Sequence, residues 1–513
     1  MKVRVVIRSR EYHDSVRLMQ VSERIRKERG VDEAILMMAT DNNKKILAAS
    51  GVLTNEVADA KSDDLVVAVV ASDEAQADAA IETAIEQLSQ RAAGAGIKYA
   101  PRTLEAALAL SPQSNVVVIS VPGDYAAGEA RRALNQGLHV MLFSDNVSLE
   151  DELSLKQLAN TKGLLLMGPD CGTAIINGAG LGFANTVRRG PVGVVGASGT
   201  GIQEITTLLD RMGIGISQAI GTGGRDLKEA IGGITMITAI DMLASDPATE
   251  IIVLTSKPPC KTVADEVLVK AEATGKTIVV NFLGEQSAVK SSDTLTFTDS
   301  LESTALAVAG LLQKPSALTL RTSAEIDAFG QENAAQLQPS QRYLRGLYAG
   351  GTLCYEALLF LQDKLDGLYS NIAVETERQL EDLWTSREHT LVDMGEDAYT
   401  QGRAHPMIDP TLRMQRLLQE ADDSEVALIL MDLVLGFGAH KDPASIMVET
   451  VQQARAQAGD RYLPVVVTVC GTEADSQSLS AQTKILEDAD ITVATSNAEA
   501  ARLAAALFGA CNE

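Results

Sequence analysis

Cysteine, aromatic residues and long apolar runs are scarce in this sequence, and each scarcity argues against a class of protein. Among 513 residues there are five cysteines, dispersed and without CxxC spacing. This usage argues against a disulfide framework and a structural zinc site, so we expect reduced thiols in a cytoplasmic protein and predict no metal site. Aromatic residues make up 4% of the chain, which leaves little for stacking a purine or nicotinamide ring.

Membrane segments and positive charge are lacking as well. No apolar run of about 18 residues is present, and the N-terminus turns charged too early for a signal peptide. The 68 acidic residues exceed the 44 Lys and Arg residues, which gives a formal net charge of −24. This charge argues against nucleic acid and anionic membranes as partners. An anionic substrate would need a locally positive site, and helix N-termini can supply one.

What the sequence does contain is a repeated alternation of short apolar strands with helices, which is typical of doubly wound parallel sheets. A chain of this length exceeds one hydrophobic core. We predict an α/β protein with a small N-terminal α/β domain at 1–100 and a Rossmann-like domain at 101–188. Two flavodoxin-like domains are predicted at 189–315 and 340–513, joined by a polar connection at 315–342.

The most informative stretch is Gly190–Asp226. Val192–Val195 predicts a buried strand, and a glycine loop leads from it into a helix that Gly213 is predicted to cap. Such a loop exposes backbone N–H groups at the positive end of a helix dipole, which suits a phosphate or carboxylate. The order Gly196-x-x-Gly199-x-Gly201 is not GxGxxG, and no P-loop lysine is present, so a nucleotide loop is not predicted.

Comparable loops recur along the chain. Gly168–Gly172 and Gly221–Gly224 each follow a predicted strand, and ligands of such sheets bind at the carboxyl ends of the strands. In the second half, Gly350–Thr352 opens a helix, and the strand Val426–Leu435 ends in Gly436–His440. Asp442 and Pro443 fit the N-cap and first position of the next helix. The two halves therefore share one device, an apolar strand followed by a glycine-rich turn and a helix.

At this point the residues resemble known families. GPDCGTAI, GPVGVVGASGTGIQEI, IGTGGRD and MLASDPATEIIVLTSKPP resemble the α subunit of succinyl-CoA synthetase. YAGGTLCYEAL, LVDMGEDA and ILMDLVLGFGAHKD resemble the ligase domain of its β subunit. Across its whole length the chain is identified as a member of the FdrA family, of the YahF type, by VMLFSDNVSLEDE, MGPDCGT, GASGTGIQE and HPMIDPTLR. The resemblance implies a degenerate CoA-binding domain at 101–188, an α-like ligase domain at 189–315 and a β-like ligase domain at 340–513.

The chain also departs from the synthetase. That enzyme relays phosphate through a phosphohistidine, but none of the five histidines here lies between Ile252 and Ser386. No segment is long enough for the synthetase's ATP-grasp domain, and the GxTGxxG-like CoA loop has no counterpart before Thr103. By itself the chain should neither hydrolyse ATP nor hold a phosphohistidine. We expect it to require no cofactor of its own and leave CoA binding open.

The resemblance also implies candidate site residues. It pairs the helix N-terminus at Ser198–Thr200 with a second one at Gly436–Gly438, as a clamp for phosphate. Arg225 is a candidate to hold a carboxylate, with pairing to a nearby acid as the structural alternative. His440 is a candidate to polarise a carbonyl or bind phosphate, whereas His405 with Asp409 is predicted to be structural. The catalytic candidates are His440 and Arg225, and the binding candidates are Ser198, Gly199, Thr200, Gly223, Gly224, Asp170, Cys171, Gly436, Phe437 and Gly438.

Three functional hypotheses remain open at this stage. FdrA-family members are implicated, with two partner subunits, in oxamate carbamoyltransferase chemistry, which uses phosphate and a ureido acid but no nucleotide. The resemblance thus implies a carbamoyltransferase subunit with a small anionic substrate, phosphate and partners in a homo- or hetero-oligomer. The alternatives are an acyl-CoA synthetase of the succinate–CoA ligase type and a non-catalytic anion-binding or scaffold subunit.

Overall fold

The computed structural model describes residues 2–11, 13, 15–28, 30–40, 43–44, 47, 52, 54–89, 101–284, 292, 294–316, 318–400 and 403–511. The chain divides into two compact units. One comprises Met1–Pro101 with Met394–Leu412, and the other comprises Arg102–Asp393 with Arg413–Glu513. None of the described helices combines the length and apolarity needed to cross a bilayer.

The first unit contains an antiparallel three-stranded sheet in the order β1-β3-β2. Its central strand, LVVAVVA, is apolar at every position because each face of the sheet covers a separate core. The strands are β1 (Lys2–Arg8), β2 (Val31–Met38) and β3 (Leu65–Ala71). The helices are Ser15–Arg26, Asn55–Asp59, Glu74–Ser89 and, from the later segment, Asp397–Thr400.

The second unit begins with a parallel three-stranded sheet in the order β4-β5-β6. Alanines on the Gly123–Asn135 helix allow it to pack closely on this sheet, around Leu134 and Val140. The strands are β4 (Val116–Ile119), β5 (His139–Leu142) and β6 (Leu166–Met167). The helices are Leu104–Leu110, Gly123–Asn135 and Leu149–Thr161.

A seven-stranded sheet follows in the order β13-β12-β11-β9-β10-β7-β8. It is parallel except at β7 and β8, which form an antiparallel hairpin that joins β10 through Ala219 and Ile175. The strands are β7 (Thr173–Ile176), β8 (Ala179–Gly182), β9 (Arg189–Gly196), β10 (Ile216–Gly221), β11 (Ile251–Ser256), β12 (Thr277–Phe282) and β13 (Leu295–Phe297). The helices are Gly199–Arg211, Ile234–Ser245, Lys261–Glu272 and Leu301–Leu311.

The third sheet of this unit has six parallel strands in the order β15-β16-β14-β17-β18-β19. Its central strand is buried at all nine positions, as expected of a parallel sheet covered on both faces. The strands are β14 (Tyr343–Tyr348), β15 (Leu368–Ser370), β16 (His389–Asp393), β17 (Val426–Val434), β18 (Val465–Cys470) and β19 (Thr492–Ala494). The helices are Ser323–Ala334, Gly351–Leu361, Thr411–Asp422, Pro443–Ala458, Leu479–Glu487 and Asn497–Cys511.

The predicted fold class is confirmed, since the protein is α/β with several parallel-sheet domains and a small N-terminal domain. One prediction about the chain path is wrong: residues 315–342 are not only a connection, because they contain the helix Ser323–Ala334. Thr322 and Glu325 form a capping box, and Gly330 lets the helix approach the last helix closely. A Cβ at Gly330 would lie 2.5 Å from the Ala506 carbonyl oxygen.

Candidate functional site

The N-termini of two helices meet in the second unit, and each helix follows a strand of a different sheet. The Gly199–Arg211 helix follows β9, and the Gly351–Leu361 helix follows β14. The hydroxyl oxygens of Ser198 and Thr352 are 2.5 Å apart, and the Thr352 N–H donates to the Thr200 hydroxyl at 3.3 Å. All three side chains are at most 8% exposed. The first turns of the two helices are therefore in direct contact.

Their N–H groups define what this junction can bind. Ser198 caps its helix by accepting from Gly201 N–H at 3.0 Å. Within the described part of the chain, the N–H groups of Gly199, Thr200 and Gly351 have no protein acceptor. Each helix also brings about half an elementary charge of positive dipole to its N-terminus. The junction therefore favours a phosphate or a carboxylate.

Asp432 holds the backbone turn at the N-terminus of the Gly351–Leu361 helix. Its two carboxylate oxygens each accept, at 2.7 Å, from the N–H groups of Ala349 and Gly350. Arg413 pairs with the same carboxylate at 2.6 Å and donates to the Asp432 carbonyl at 2.7 Å. Burial lowers the pKa of Arg413, and the Asp432 carboxylate opposes this shift. The charges of Arg413 and Asp432 offset each other, so this pair holds the Gly350–Thr352 turn and adds no net charge next to it.

Two further charged side chains border the turn at Gly351. A Cβ at Gly351 would lie 2.3 Å from Asp393 Oδ2 and 3.2 Å from Lys257 Nζ. A side chain at Gly351 would therefore displace the Asp393 carboxylate. Lys257 follows β11 and Asp393 ends β16, so each of the two sheets contributes one of these charges.

The glycine loops of the first half converge as predicted at one edge of the seven-stranded sheet. A Cβ at Gly223, whose φ is +85°, would lie 2.2 Å from the Pro169 carbonyl oxygen. A Cβ at Gly224 would lie 3.7 Å from Asp170 Oδ2, and one at Gly199 would lie 3.3 Å from Thr173 Oγ1. The loops at 168–172 and 221–224 thus pack together beside the Gly199–Arg211 helix.

Cys171 lies in this edge but is not placed to act as a nucleophile. Its thiol is 2% exposed and points at the carbonyl oxygens of Thr173 and Gly221, at 3.6 and 3.4 Å. Burial raises the pKa of Cys171 to about 12. The thiol therefore stays protonated at neutral pH. Asp170 is exposed beside it, with a backbone φ of +55°.

Arg225 pairs with a nearby acid, which is the structural alternative predicted for it. Its guanidinium lies 2.8 Å from Glu152 Oε2 and donates to the Val147 carbonyl oxygen at 2.8 Å. Lys156 lies 3.1 Å from the other oxygen of Glu152. The angles of these contacts to Glu152 are not those of hydrogen bonds, so both are ion pairs without directional bonding. The Arg225 guanidinium is thus committed to an acid of the same unit.

The predicted second half of the clamp is wrong in one respect. Gly436–Gly438 does not form a helix N-terminus, because the next helix begins at Pro443 with Asp442 as its cap, as the sequence predicted. Gly436 and Gly438 have φ values of +104° and +79°, a left-handed turn that glycine adopts without strain. The loop packs instead on residues 182–185, where Phe437 N–H donates to the Ala184 carbonyl at 2.7 Å.

The two candidate histidines have local structural roles. His440 Nδ1 accepts from Asp442 N–H at 3.1 Å, which places the imidazole proton on Nε2. In the first unit, His405 Nδ1 accepts from Met407 N–H at 3.2 Å, and its carbonyl accepts from Asp409 N–H at 3.0 Å. The role of His440 toward a substrate stays a prediction.

The sequence reasoning missed the residues that meet Ser198. Gly350, Gly351 and Thr352 were identified as a helix start but not as the partner of Ser198. A signal was present, because Ala197-Ser198-Gly199-Thr200 and Ala349-Gly350-Gly351-Thr352 repeat the pattern Ala-x-Gly-Thr after an apolar strand. Arg413 and Asp432 carried no comparable local signal.

Three buried glutamates, Glu204, Glu302 and Glu356, form a cluster. The first two lie on helices of the seven-stranded sheet, and Glu356 lies on the helix that follows β14. Asn497 bridges the cluster, since its N–H donates to Glu204 at 3.1 Å and its amide donates to Glu356 at 2.7 Å. Glu302 is held by Arg502 at 2.9 Å and by the Ser496 hydroxyl. Burial is the main cause that raises the pKa of Glu204, and it raises the pKa of Glu356 to about 7.

Comparison with protein families assigns three segments. Residues 347–507 match a family described as CoA-ligase, and residues 187–284 match one described as CoA binding domain. The latter falls where the sequence predicts the α-like ligase domain. Residues 1–102 match a family described as AllF, heavy metal-associated domain.

Individual relatives cover the chain to different extents. The uncharacterized protein YahF of Escherichia coli (strain K12) is 47% identical over 513 residues, 98% of each chain. The α subunit of an ADP-forming succinate–CoA ligase from Aquifex aeolicus is 31% identical over 147 residues, 28% of this chain and 47% of that one. The chain thus spans about half of that subunit. A dinucleotide-forming acetyl-coenzyme A synthetase from Ca. Korarchaeum cryptofilum aligns over 78% of this chain and 83% of its own, at 17% identity and a TM-score of 0.28.

Proposed function

Because the chain belongs to the YahF family of FdrA-type proteins, we propose that it is a subunit of a CoA-ligase-type enzyme that activates a small carboxylic acid. The CoA-ligase and CoA-binding matches support this class. The observation that carries the proposal is the contact between the helix N-termini at Ser198–Thr200 and Gly350–Thr352. Each of the two matched segments contributes one of them.

The proposed chemistry is the exchange of an acyl group between phosphate and a thiol. A phosphate oxygen attacks the thioester carbonyl carbon, the carbon–sulfur bond breaks, and the thiolate leaves and takes up a proton, which gives an acyl phosphate. In this mechanism the N–H groups of Gly199, Thr200 and Gly351 hold the phosphate and stabilise its charge. The protein would contribute positioning and electrostatic stabilisation without a covalent intermediate.

A second candidate is carbamoyl transfer, a reaction that uses phosphate but neither a nucleotide nor a phosphohistidine. No histidine lies between Ile252 and Ser386, so phosphate would have to react directly rather than through a phosphohistidine. A ureido acid has a carbonyl that phosphate can attack in the same way. The carbon–nitrogen bond then breaks, the amide nitrogen takes the proton, and carbamoyl phosphate forms. Partner subunits would complete this site.

Turnover assays separate the candidates. The purified chain, with and without the products of neighbouring genes, is offered either an acyl-CoA with phosphate or a ureido acid with phosphate. Phosphate-dependent release of CoA supports the ligase-type function, whereas carbamoyl phosphate formed only with partners supports the second candidate. If phosphate binds but neither reaction occurs in any combination, the chain is an anion-binding subunit and both proposals are wrong.

Replacement of Gly199 by proline tests the anion site directly. Proline is tolerated at the first position of a helix, and Ser198 already has the extended backbone (φ −158°, ψ 108°) that a following proline requires. The change removes one N–H donor, so we expect phosphate affinity, measured by calorimetry, to fall about tenfold, equivalent to about 1.4 kcal/mol.

Gly199→Ala is the matched control, because it adds the same Cβ near Thr173 Oγ1 but keeps the N–H group. We expect Gly199→Ala to bind phosphate several times more tightly than Gly199→Pro. Equal affinities of the two variants would show that the Gly199 N–H does not contact the anion.

A further inference from the structure

The N-terminal domain presents a disagreement between family and residues. Residues 1–102 match a heavy metal-associated family, and soft metal ions are bound in proteins chiefly by thiolate, thioether and imidazole groups. The first cysteine of the chain is Cys171, so this segment contains no thiol at all. The other segment of the same compact unit supplies Met394 and Met407, which are buried, and His405, whose Nδ1 accepts from the Met407 N–H. Within residues 1–102 the candidate soft ligands are His13 and four methionines, Met1, Met19, Met37 and Met38.

Two of these methionines belong to the cores on either side of the sheet. Met37 and Met38 are successive residues of β2, so their side chains point to opposite faces. Met38 is 8% exposed and lies in the core beneath the helices, with Leu36 and Leu65. Met37 packs against the other core, with Val66 and Ala68. Their thioethers are therefore separated by the sheet and cannot share one ion.

His13 is committed to an ion-paired loop. Its Nε2 donates to Glu11 Oε1 at 3.1 Å, and Arg8 Nε donates to Glu11 Oε2 at 2.7 Å. The contacts with His13 and then Arg8 are the largest causes that lower the pKa of Glu11. A cation that binds Glu11 would have to compete with the Arg8 guanidinium that already pairs with this carboxylate. Within the described part of the chain, no three His, Cys, Asp or Glu side chains are grouped as a metal site.

We infer that the N-terminal domain keeps the fold of a heavy metal-associated module but does not bind a heavy-metal ion. Met38 and Met37 pack in the cores on opposite faces of the sheet, and His13 Nε2 is held by Glu11. Metal supply should therefore not regulate the protein through this domain.

Metal titration of the full-length chain tests this inference. Three of the five cysteines are buried, and a Cys260→Ser/Cys511→Ser variant removes the two more accessible thiols. Titrated with Cu(I) from a bicinchoninate complex, and separately with Zn(II), this variant is expected to take up no stoichiometric metal. Its thermal unfolding temperature should not change with either ion.

The contrary result has a clear signature. Uptake of one equivalent of Cu(I) or Zn(II) by the double variant, lost on adding His13→Ala or Met37→Leu/Met38→Leu, would place a metal site in this domain and overturn the inference. Uptake that is unaffected by those changes but lost when the buried cysteines are replaced would assign the metal elsewhere in the chain and leave the inference standing.

Discussion

Replacement of Lys156 by methionine is expected to lower the free energy of unfolding by about 3–5 kcal/mol. Lys156 lies on the Leu149–Thr161 helix and is fully buried. Its ammonium group donates to Asp226 Oδ1 at 2.6 Å and to the Thr222 carbonyl at 2.9 Å, and it lies 3.1 Å from Glu152 Oε1 as an ion pair. Methionine keeps most of the side-chain volume but leaves two buried carboxylates without this cation.

The loss would spread beyond the ion pair. Asp226 also accepts from the N–H groups of Thr235 and Met236 and so caps the Ile234–Ser245 helix, at 3.2 and 2.9 Å. We therefore expect faster hydrogen exchange at 221–236, in addition to a lower urea midpoint followed by circular dichroism. Both changes arise because the carboxylate must turn away from the helix to find water.

Lys162→Met is the matched control, at the exposed end of the same helix. A cation there adds only a helix-dipole contribution, so we expect a change below about 1 kcal/mol. If Lys156→Met were no more destabilising than Lys162→Met, the buried network would not hold the loop at 221–226 in place.

The second large effect concerns pH and Glu356. Burial raises the folded-state pKa of Glu356 to about 7, above its ordinary value of 4.5. The group therefore contributes stability that is fully present below pH 4.5 and is lost as the pH rises through 7. The loss is about 3 kcal/mol when integrated over this range. Glu204 changes in the same direction because burial also raises its pKa.

Glu356→Gln should therefore flatten the pH profile of stability. We expect urea midpoints of the wild-type protein to fall more steeply between pH 5 and pH 8 than those of the variant, whatever the offset between the two. Burial lowers the pKa of His139 and of His389, so these histidines make stability rise with pH below neutral pH, opposite to the effect of Glu356. The wild type and the variant share this contribution, which is why the two profiles are compared with each other. The exposed change Glu332→Gln should leave the profile as in the wild type, and parallel profiles for Glu356→Gln would contradict the assignment.

Local sequence signals predicted most of the fold. Val192–Val195 lies within β9, and the helix after it ends where Gly213 takes a left-handed φ of +76°. These features depend on neighbours in sequence, which pattern and capping rules capture. The helix at Ser323–Ala334 was missed because its apolar positions are few, although Thr322 and Glu325 carried a capping-box signature.

The site was less accessible from sequence because it depends on which strand ends meet. Ser198–Thr200 was identified from its own loop, but its partner was placed at Gly436–Gly438 and lies at Gly350–Thr352. Arg413 and Asp432 come from a helix and a strand 19 residues apart, and nothing in their local sequence marks them as a buried pair. Proximity across two sheets is a property of packing that one sequence does not encode locally.

The contact between Ser198 and Thr352 also has a consequence for synthesis of the chain. Domains fold as they emerge from the ribosome, N-terminal first. The Gly199–Arg211 helix can form while the Gly351–Leu361 helix is still untranslated, but the junction then lacks the Gly351 N–H and the second helix dipole. The complete anion site is therefore a late product of folding, and a nascent or truncated chain that stops before Thr352 cannot carry it.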